Sequence, residues 1–327
     1  MIEKTLNRLV SVAPMMDYTD RHERYFLRLI SQHLLLYTEM VTTQAILNGN
    51  LERLLGYNVK ERPLALQVGG SNPEDLAECA KIGQDLGYNE VNLNLGCPSP
   101  RVQLGRFGAC LMAEPDLVAH CIETMRLAVQ VPVTIKTRIG IDDRNSQVDL
   151  WKLVQSIADV GCETVIIHAR KAWLKGLSPK QNREVPPLHY DLVYQLKRDF
   201  PLLEIVINGG IASLNVAKRH LDFVDGVMIG REAYKNPYFL AEVDKIFYGD
   251  SKPPKTRAEV LNSYFPYVEE QLSRGVKLHQ MTRHIMGLFN SLSGAKSWRR
   301  YLSDKAHVPG TGADVIRQAL QNVSLNV

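Results

Sequence analysis

The sequence predicts an α/β fold: a (β/α)8 TIM barrel followed by a small all-helical domain. Three observations carry this. Eight short β-branched or apolar runs fall within the first 231 residues, helical patterns lie between most of them, and no strand pattern follows residue 250. A doubly wound open sheet is the rival. It usually has fewer strands and a glycine-rich first turn, whereas the turn after the first run here reads APMMDYTD.

The runs are RLVSVAPM (8–15), LLLYTEMV (34–41), PLALQVGG (63–70), EVNLNLGC (90–97), VPVTIKTRIG (131–140), TVIIHAR (164–170), EIVINGG (204–210) and GVMIGR (226–231). Several are apolar at nearly every position, as strands covered on both faces should be. Between the third and fourth runs, Asn72 is a candidate N-cap, Pro73 the first helical residue and Gly87 the stop. EPDLVAHCIETMRLAV and SQVDLWKLVQSIADVG repeat the helical period. SKPPKT then reads as a linker. RAEVLNSYFPYVEEQLSRG, KLHQMTRHIMGLFNSL and GADVIRQALQNV follow as amphipathic helices. The predicted division is a barrel over 1–250 and a helical domain over 253–327.

A chain of 327 residues with 45% hydrophobic and 23% charged residues has the make-up of a soluble globular protein. No run of 18 apolar residues predicts a membrane span, and the first residues lack a signal-peptide core. A cytoplasmic protein is expected, with no membrane association, no evident protein partner and a monomeric state. The 5 cysteines form no C-x-x-C pair, which argues against a disulfide framework or a metal site. Cys79, Cys121 and Cys162 read as small buried hydrophobes. Charge is uneven: residues 251–327 carry a net +6 and the rest −2. A basic tail on a slightly acidic body points to a polyanionic partner, or else to a solvated helical surface.

In such a barrel the chemistry sits at the C-terminal strand ends. Those ends hold Met15, Met16, Asp17, Glu39, Gln67, Asn92, Asn94, Cys97, Lys136, Arg138, His168, Arg170, Asn208, Gly209, Gly210, Gly230 and Arg231. The glycines at ends seven and eight, with Arg231, suit a phosphate held by converging N–H groups and a forked donor. Gln67, Asn94, Lys136 and His168 would then face a planar head group. Lys136 suits a ring that becomes anionic on reduction, such as a flavin; an internal ion pair with Glu39 or Asp17 is the alternative. His168 could instead be a satisfied core histidine. Cys97 opens a long glycine-bearing loop of the kind that carries a reacting group over a barrel mouth. A free thiol is mostly protonated at neutral pH and can serve as an acid. A metal pair of Cys97 and Cys110 is the alternative, but no His or acid stands at ligand spacing.

APMMDYTDR, NLNLGCPSPRVQLGRFGACLM, VTIKTRIGIDD, IIHARKAWLKGLSPKQNREVPPL, INGGI and VMIGREAYKNP together resemble the tRNA-dihydrouridine synthases, over nearly the whole chain. The KGLSPKQNREVPPL stretch resembles their A-type subfamily. The resemblance implies an FMN enzyme, re-reduced by NADPH, that saturates the C5–C6 bond of D-loop uridines in tRNA, at positions 20 and 20a. It places the FMN ring against Pro14, Met15, Met16, Gln67, Lys136 and His168, and the FMN phosphate against Asn208, Gly209, Gly210, Gly230 and Arg231. It makes Cys97 the proton donor to C5, opposite the hydride sent from flavin N5 to C6. It gives Asn94 the target uracil, and gives Lys180, Arg183, Arg299 and Arg300 to tRNA. Two other classes stay open on the residues: a flavin barrel acting on a free pyrimidine, and a non-catalytic RNA-binding barrel.

Overall fold

The computed structural model describes residues 6–324. Its barrel strands are β1 (Val10–Val12), β2 (Leu35–Tyr37), β3 (Leu64–Gly69), β4 (Glu90–Leu95), β5 (Val133–Arg138), β6 (Thr164–His168), β7 (Glu204–Asn208) and β8 (Gly226–Ile229). Each lies within one of the eight runs. All neighbours are parallel and pair in chain order. β1 pairs with both β2 and β8, so the sheet closes on itself. A further two-residue strand, Val41–Thr42, pairs with the end of β3.

In chain order the longer helices are α1 (Arg21–Ile30), α2 (Pro73–Asp85), α3 (Pro115–Ala128), α4 (Ser146–Asp159), α5 (Tyr190–Asp199), α6 (Leu214–His220), α7 (Arg257–Ser273), α8 (Leu278–Ile285), α9 (Ala295–Lys305) and α10 (Asp314–Leu320). Local chemistry sets their starts. Asn72 caps α2 by accepting from the Asp75 N–H, with Pro73 in the first turn, and Gly87 takes the left-handed conformation just past its end. Thr256 and Glu259 cap α7 reciprocally.

The described residues form two compact units. One is Leu35–Gly230 with the chain up to Met16; the other is Asp17–Leu34 with the chain from Arg231 on. The helical unit therefore gathers α1 and residues 231–250 as well as the expected tail, a different division from 1–250 and 253–327. Within it, α1 packs on α7 and α8. Two further details depart from the sequence reading. The helix expected through KLHQMTRHIMGLFNSL ends at Ile285, and Gly287 then meets the Lys235 carbonyl so closely that no side chain would fit. Residues 295–305 form α9, which periodicity did not single out.

Inside the barrel, Ala13, Leu35, Tyr37, Ala65, Ile166, Val206 and Met228 make one buried cluster, with Met15 packed against it. The N-terminal end of the barrel is polar but paired. Arg8 reaches Glu90 and Glu204, both at 2.7 Å. Burial works against its charge, yet the two carboxylates hold it above the ordinary arginine range. Among the described residues, no helix is long and apolar enough to cross a membrane.

Candidate active site at the strand ends

The C-terminal ends of β3, β4, β5 and β7 bring predicted residues into direct contact. Gln67 on β3 is buried and accepts from Asn94 Nδ2 on β4 at 2.9 Å. Gln67 Nε2 donates to Asn92 Oδ1 at 2.8 Å. Asn94 Oδ1 accepts from the N–H groups of Gly96 at 3.2 Å and Cys97 at 3.0 Å. The strand therefore ends because its own asparagine folds the chain into the turn that presents Cys97.

Cys97 is half-buried and its thiol is free. The loop beyond it is ordered by its own bonds. Ser99 caps a short helix, Pro100–Leu104, and the Ala109 N–H returns to the Cys97 carbonyl at 3.0 Å. Gly108 has φ +74°, and a Cβ there would lie 2.7 Å from the Cys97 carbonyl, so only glycine permits that return. Cys110 donates to the Phe107 carbonyl and sits on the returning limb. Cys79, Cys121 and Cys162 are fully buried, as their apolar patterns predicted.

Lys136 on β5 donates to Asn208 Oδ1 on β7 at 3.1 Å. Burial lowers its pKa to about 7, Arg138 adds to this, and Cys97 opposes it. Asn208 turns its Nδ2 to the Met228 carbonyl at 2.8 Å, which fixes which end of the amide faces Lys136. His168 is half-buried at the end of β6, in register with Arg138 on one side and Asn208 on the other.

The glycine corner follows directly. Gly209 and Gly210 have φ +121° and +69°. A Cβ on Gly209 would lie 2.8 Å from His168 Cδ2, and one on Gly210 2.6 Å from Leu188. The Tyr190 hydroxyl holds the Gly209 carbonyl at 2.8 Å. Gly230, by contrast, faces open space: the nearest atom to a Cβ there is Asn208 Nδ2 at 4.0 Å. Two left-handed glycines, an open third and a half-buried cation fit a phosphorylated planar cofactor. Pro14 and Met15 are half-buried after β1, and Met16 is exposed. Arg231 directly follows Gly230 and opens a short helix in the other unit.

The basic candidates lie on two other segments of the chain. Lys180 and Arg183 are exposed on the loop after β6. Arg299 is half-buried on α9, bonded to Asn290 at 2.9 Å, and Arg300 is exposed. The residue that sequence reasoning passes over is Arg138, a strand end to which it gives no role. Its Nε donates to the Gly96 carbonyl at 2.9 Å, and Nη1 donates to the carbonyls of Lys171 at 2.8 Å and Asn182 at 2.9 Å. Asn182 in turn ties down Trp173 through both ends of its amide, and so anchors the loop bearing Lys180 and Arg183.

Comparison with known proteins places the chain. The profile of the dihydrouridine synthase (Dus) family matches residues 11–324. The chain belongs to the dihydrouridine synthase family. It is 59% identical over 315 residues to a tRNA-dihydrouridine(20/20a) synthase of Vibrio cholerae, covering 96% of each chain. It is 57% identical over 324 residues to the protein of the same name in Shewanella oneidensis, covering 99% of this chain and 96% of that one. The Escherichia coli protein of that name is 56% identical over 315 residues, with 96% and 91% covered. The barrel and the strand-end constellation thus occur in a dihydrouridine synthase chain matched along nearly its whole length.

Proposed function

We propose that this chain reduces the C5–C6 double bond of D-loop uridines in tRNA, at positions 20 and 20a, using FMN re-reduced by NADPH. One observation carries the reading: Gln67, Asn94 and the Cys97 turn are hydrogen-bonded into one unit at the barrel mouth. The relatives' shared name, tRNA-dihydrouridine(20/20a) synthase, supports the substrate.

Pro14, Met15, Met16, Gln67, Lys136 and His168 would hold the FMN ring. Asn208, Gly209, Gly210 and Gly230 would receive the phosphate, with Arg231 next in the chain. Bound and reduced, the flavin supplies a hydride to uracil C6. Cys97 then gives its thiol proton to C5 from the opposite face of the ring. The electron pair of the double bond enters the new C5–H bond, and the thiolate takes a proton back from water. Asn94 directs its amide at the uracil, and Lys136 supplies positive charge beside the ring. Removing the uridine from the folded RNA costs about a few kcal/mol. Exposed cations such as Lys180, Arg183 and Arg300 offset this through phosphate contacts, reading shape more than sequence. The helical unit is the main tRNA-binding part of this proposal, and the protein acts as a cytoplasmic monomer.

The test is the visible spectrum of the purified protein followed by NADPH-driven dihydrouridine formation on unmodified tRNA. A yellow protein that forms dihydrouridine at positions 20 and 20a is expected. A colourless protein that takes up no FMN would overturn the flavin reading. Equal activity on free uracil would overturn the tRNA reading.

A further inference from the structure

A chain of half-buried and buried hydrogen bonds, all donated in one direction as far as Glu90, runs from the Cys97 turn to the opposite end of the barrel. Cys97 N–H donates to Asn94 Oδ1 at 3.0 Å, Asn94 Nδ2 to Gln67 Oε1 at 2.9 Å, and Gln67 Nε2 to Asn92 Oδ1 at 2.8 Å. Asn92 Nδ2 then donates to Thr134 Oγ1 at 2.8 Å, and Thr134 Oγ1 to Glu90 Oε1 at 2.6 Å. Arg8 Nε donates to the other carboxylate oxygen, Glu90 Oε2, at 2.7 Å and closes the chain. Gln67, Asn92, Thr134 and Glu90 are all essentially inaccessible to solvent.

The direction is fixed from both ends: the Gly96 and Cys97 N–H groups can only donate to Asn94, and at the far end the chain meets a carboxylate. A primary amide can rotate by half a turn and exchange its oxygen and nitrogen with almost no change of shape. Three amides in a row would therefore have two arrangements of similar packing. A hydroxyl has only one proton, and a carboxylate paired with arginine only accepts. Thr134 donates its one proton to Glu90 Oε1, to which the Tyr37 hydroxyl also donates at 2.7 Å, and so it accepts from Asn92. Asn92 then turns its oxygen to Gln67, Gln67 its oxygen to Asn94, and Asn94 its oxygen to Cys97, the same orientation that the two backbone N–H groups require. In the reversed arrangement Asn94 would set an NH2 group against the Cys97 and Gly96 N–H groups, and the turn would lose both bonds.

We propose that the buried Glu90–Thr134 pair is a positioning device for Cys97, anchoring the far end of the three-amide chain and, through it, the turn that carries the thiol. Its catalytic meaning rests on the function proposed above; its structural content does not. The same chain fixes the Gln67 and Asn94 amides in one orientation at the strand ends, so a change at Thr134 acts there without touching them.

The test compares Thr134→Val, which keeps shape and removes the hydroxyl, with Thr134→Ser, which keeps the hydroxyl. Amide hydrogen exchange at Gly96 and Cys97 is read in the flavin-free full chain. Exchange in Thr134→Val is expected to rise about 3–10-fold, the worth of one net hydrogen bond, with Thr134→Ser close to wild type. On tRNA, Thr134→Val should lose kcat by a similar factor at unchanged KM, and Thr134→Ser should recover it. Thr134→Ala removes the same hydroxyl with less bulk and must reproduce both effects, which covers a valine variant that folds poorly. Wild-type exchange at Cys97 in the valine and alanine variants would overturn the chain. Raised exchange with unchanged kcat would overturn the positioning role. A wild-type protein inactive on tRNA, with exchange behaving as expected, would sink the proposed function and leave the chain standing.

Discussion

Lys136 and Asn208 meet across the barrel mouth at 3.1 Å, a half-buried ammonium held by a neutral amide. Burial, with Arg138 adding to it, brings Lys136 down to about 7. The unfolded chain carries this lysine charged up to about 10.5, so the folded state without flavin loses stability where it must hold the charge, and recovers it as pH rises from 7 towards 10.5. Lys136→Met should therefore raise the melting temperature of the flavin-free protein at pH 6–7 by a few degrees. The same variant should bind reduced flavin more weakly, and the wild-type fall in that affinity as pH rises through 7 should flatten. A variant that melts lower and binds flavin as before would show that the lysine serves packing instead.

Arg138 joins two segments that carry different parts of the proposed reaction: the Cys97 turn through Gly96, and the Lys180–Arg183 loop through Lys171 and Asn182. Burial lowers its pKa to about 10, so it stays charged at neutral pH. Lysine cannot reproduce a forked donor. Arg138→Lys should retain flavin and lower turnover by roughly 10-fold or more, each missing charged hydrogen bond being worth about 1.5–3 kcal/mol. Limited trypsinolysis should speed up at both loops, at Arg101 or Arg106 and at Lys175 or Lys180. Faster cutting at one loop alone would mean that the arginine does not couple them.

The barrel was legible because its strands are apolar on both faces and its turns are marked by glycine and proline; the eight runs and the eight strands coincide. The strand-end rule also reached Gln67, Asn94 and Cys97, which the fold bonds into one group, and Lys136 and Asn208, which it bonds into a second. Arg138 is harder to read because its three acceptors are backbone carbonyls far along the chain, and carbonyls leave no trace in residue identity. Asn92, Thr134 and Glu90 show no role in the sequence for the same kind of reason: their meaning lies in the direction of hydrogen bonds between neighbouring strands. The composition of α1, RHERYFLRLI, gives no sign that it belongs with helices more than two hundred residues away.

Within the helical unit, His284 lies between two carboxylates, Asp20 Oδ2 at 3.0 Å from Nε2 and Glu23 Oε2 at 3.2 Å from Nδ1. Burial opposes its charge, but both partners outweigh this and raise it to about 9. Asp20 is held down at about 2 against burial by His284, while burial raises Glu23. His22, lowered by burial, and Arg283, 4.0 Å from Asp20, complete the charged surroundings. A raised histidine contributes stability that is complete below 6.5 and lost as pH climbs through 9. Asp20 contributes above 3.8 and is lost as pH falls through 2. Thermal stability should thus fall between pH 6.5 and 9, and His284→Gln should flatten that slope. An unchanged slope in the variant would assign it elsewhere.

Removing the tail at Pro253 is a poor test of tRNA binding, because α7 and α8 are the helices on which α1 packs. Charge reversal is cleaner. Lys180→Glu and Arg300→Glu alter exposed side chains, the latter 3.7 Å from Asp304 in a solvent-facing pair that contributes little to stability. Each should weaken tRNA binding, and each phosphate no longer neutralised should reduce the salt slope by about 0.7–0.9. Affinity and slope unchanged in either variant would remove that residue from the interface.

Cys97 and Cys110 lie on opposite limbs of one loop, and their substitution separates chemistry from packing. Cys97 is held by its backbone, through Asn94 and Ala109, rather than by its thiol. Cys97→Ala should therefore fold, bind FMN and accept electrons from NADPH, since none of these steps uses the thiol. Dihydrouridine formation should drop by roughly 10²–10⁴, the usual worth of a positioned general acid. Cys110 donates an S–H hydrogen bond to the Phe107 carbonyl, and burial raises its pKa, so it has the character of a structural thiol. Cys110→Ala should keep most of the activity and lose some thermal stability. Both variants are to be measured for flavin reduction alone and for turnover on tRNA. Wild-type turnover in Cys97→Ala would take the thiol out of the mechanism, and loss of FMN from that variant would make Cys97 a structural residue instead.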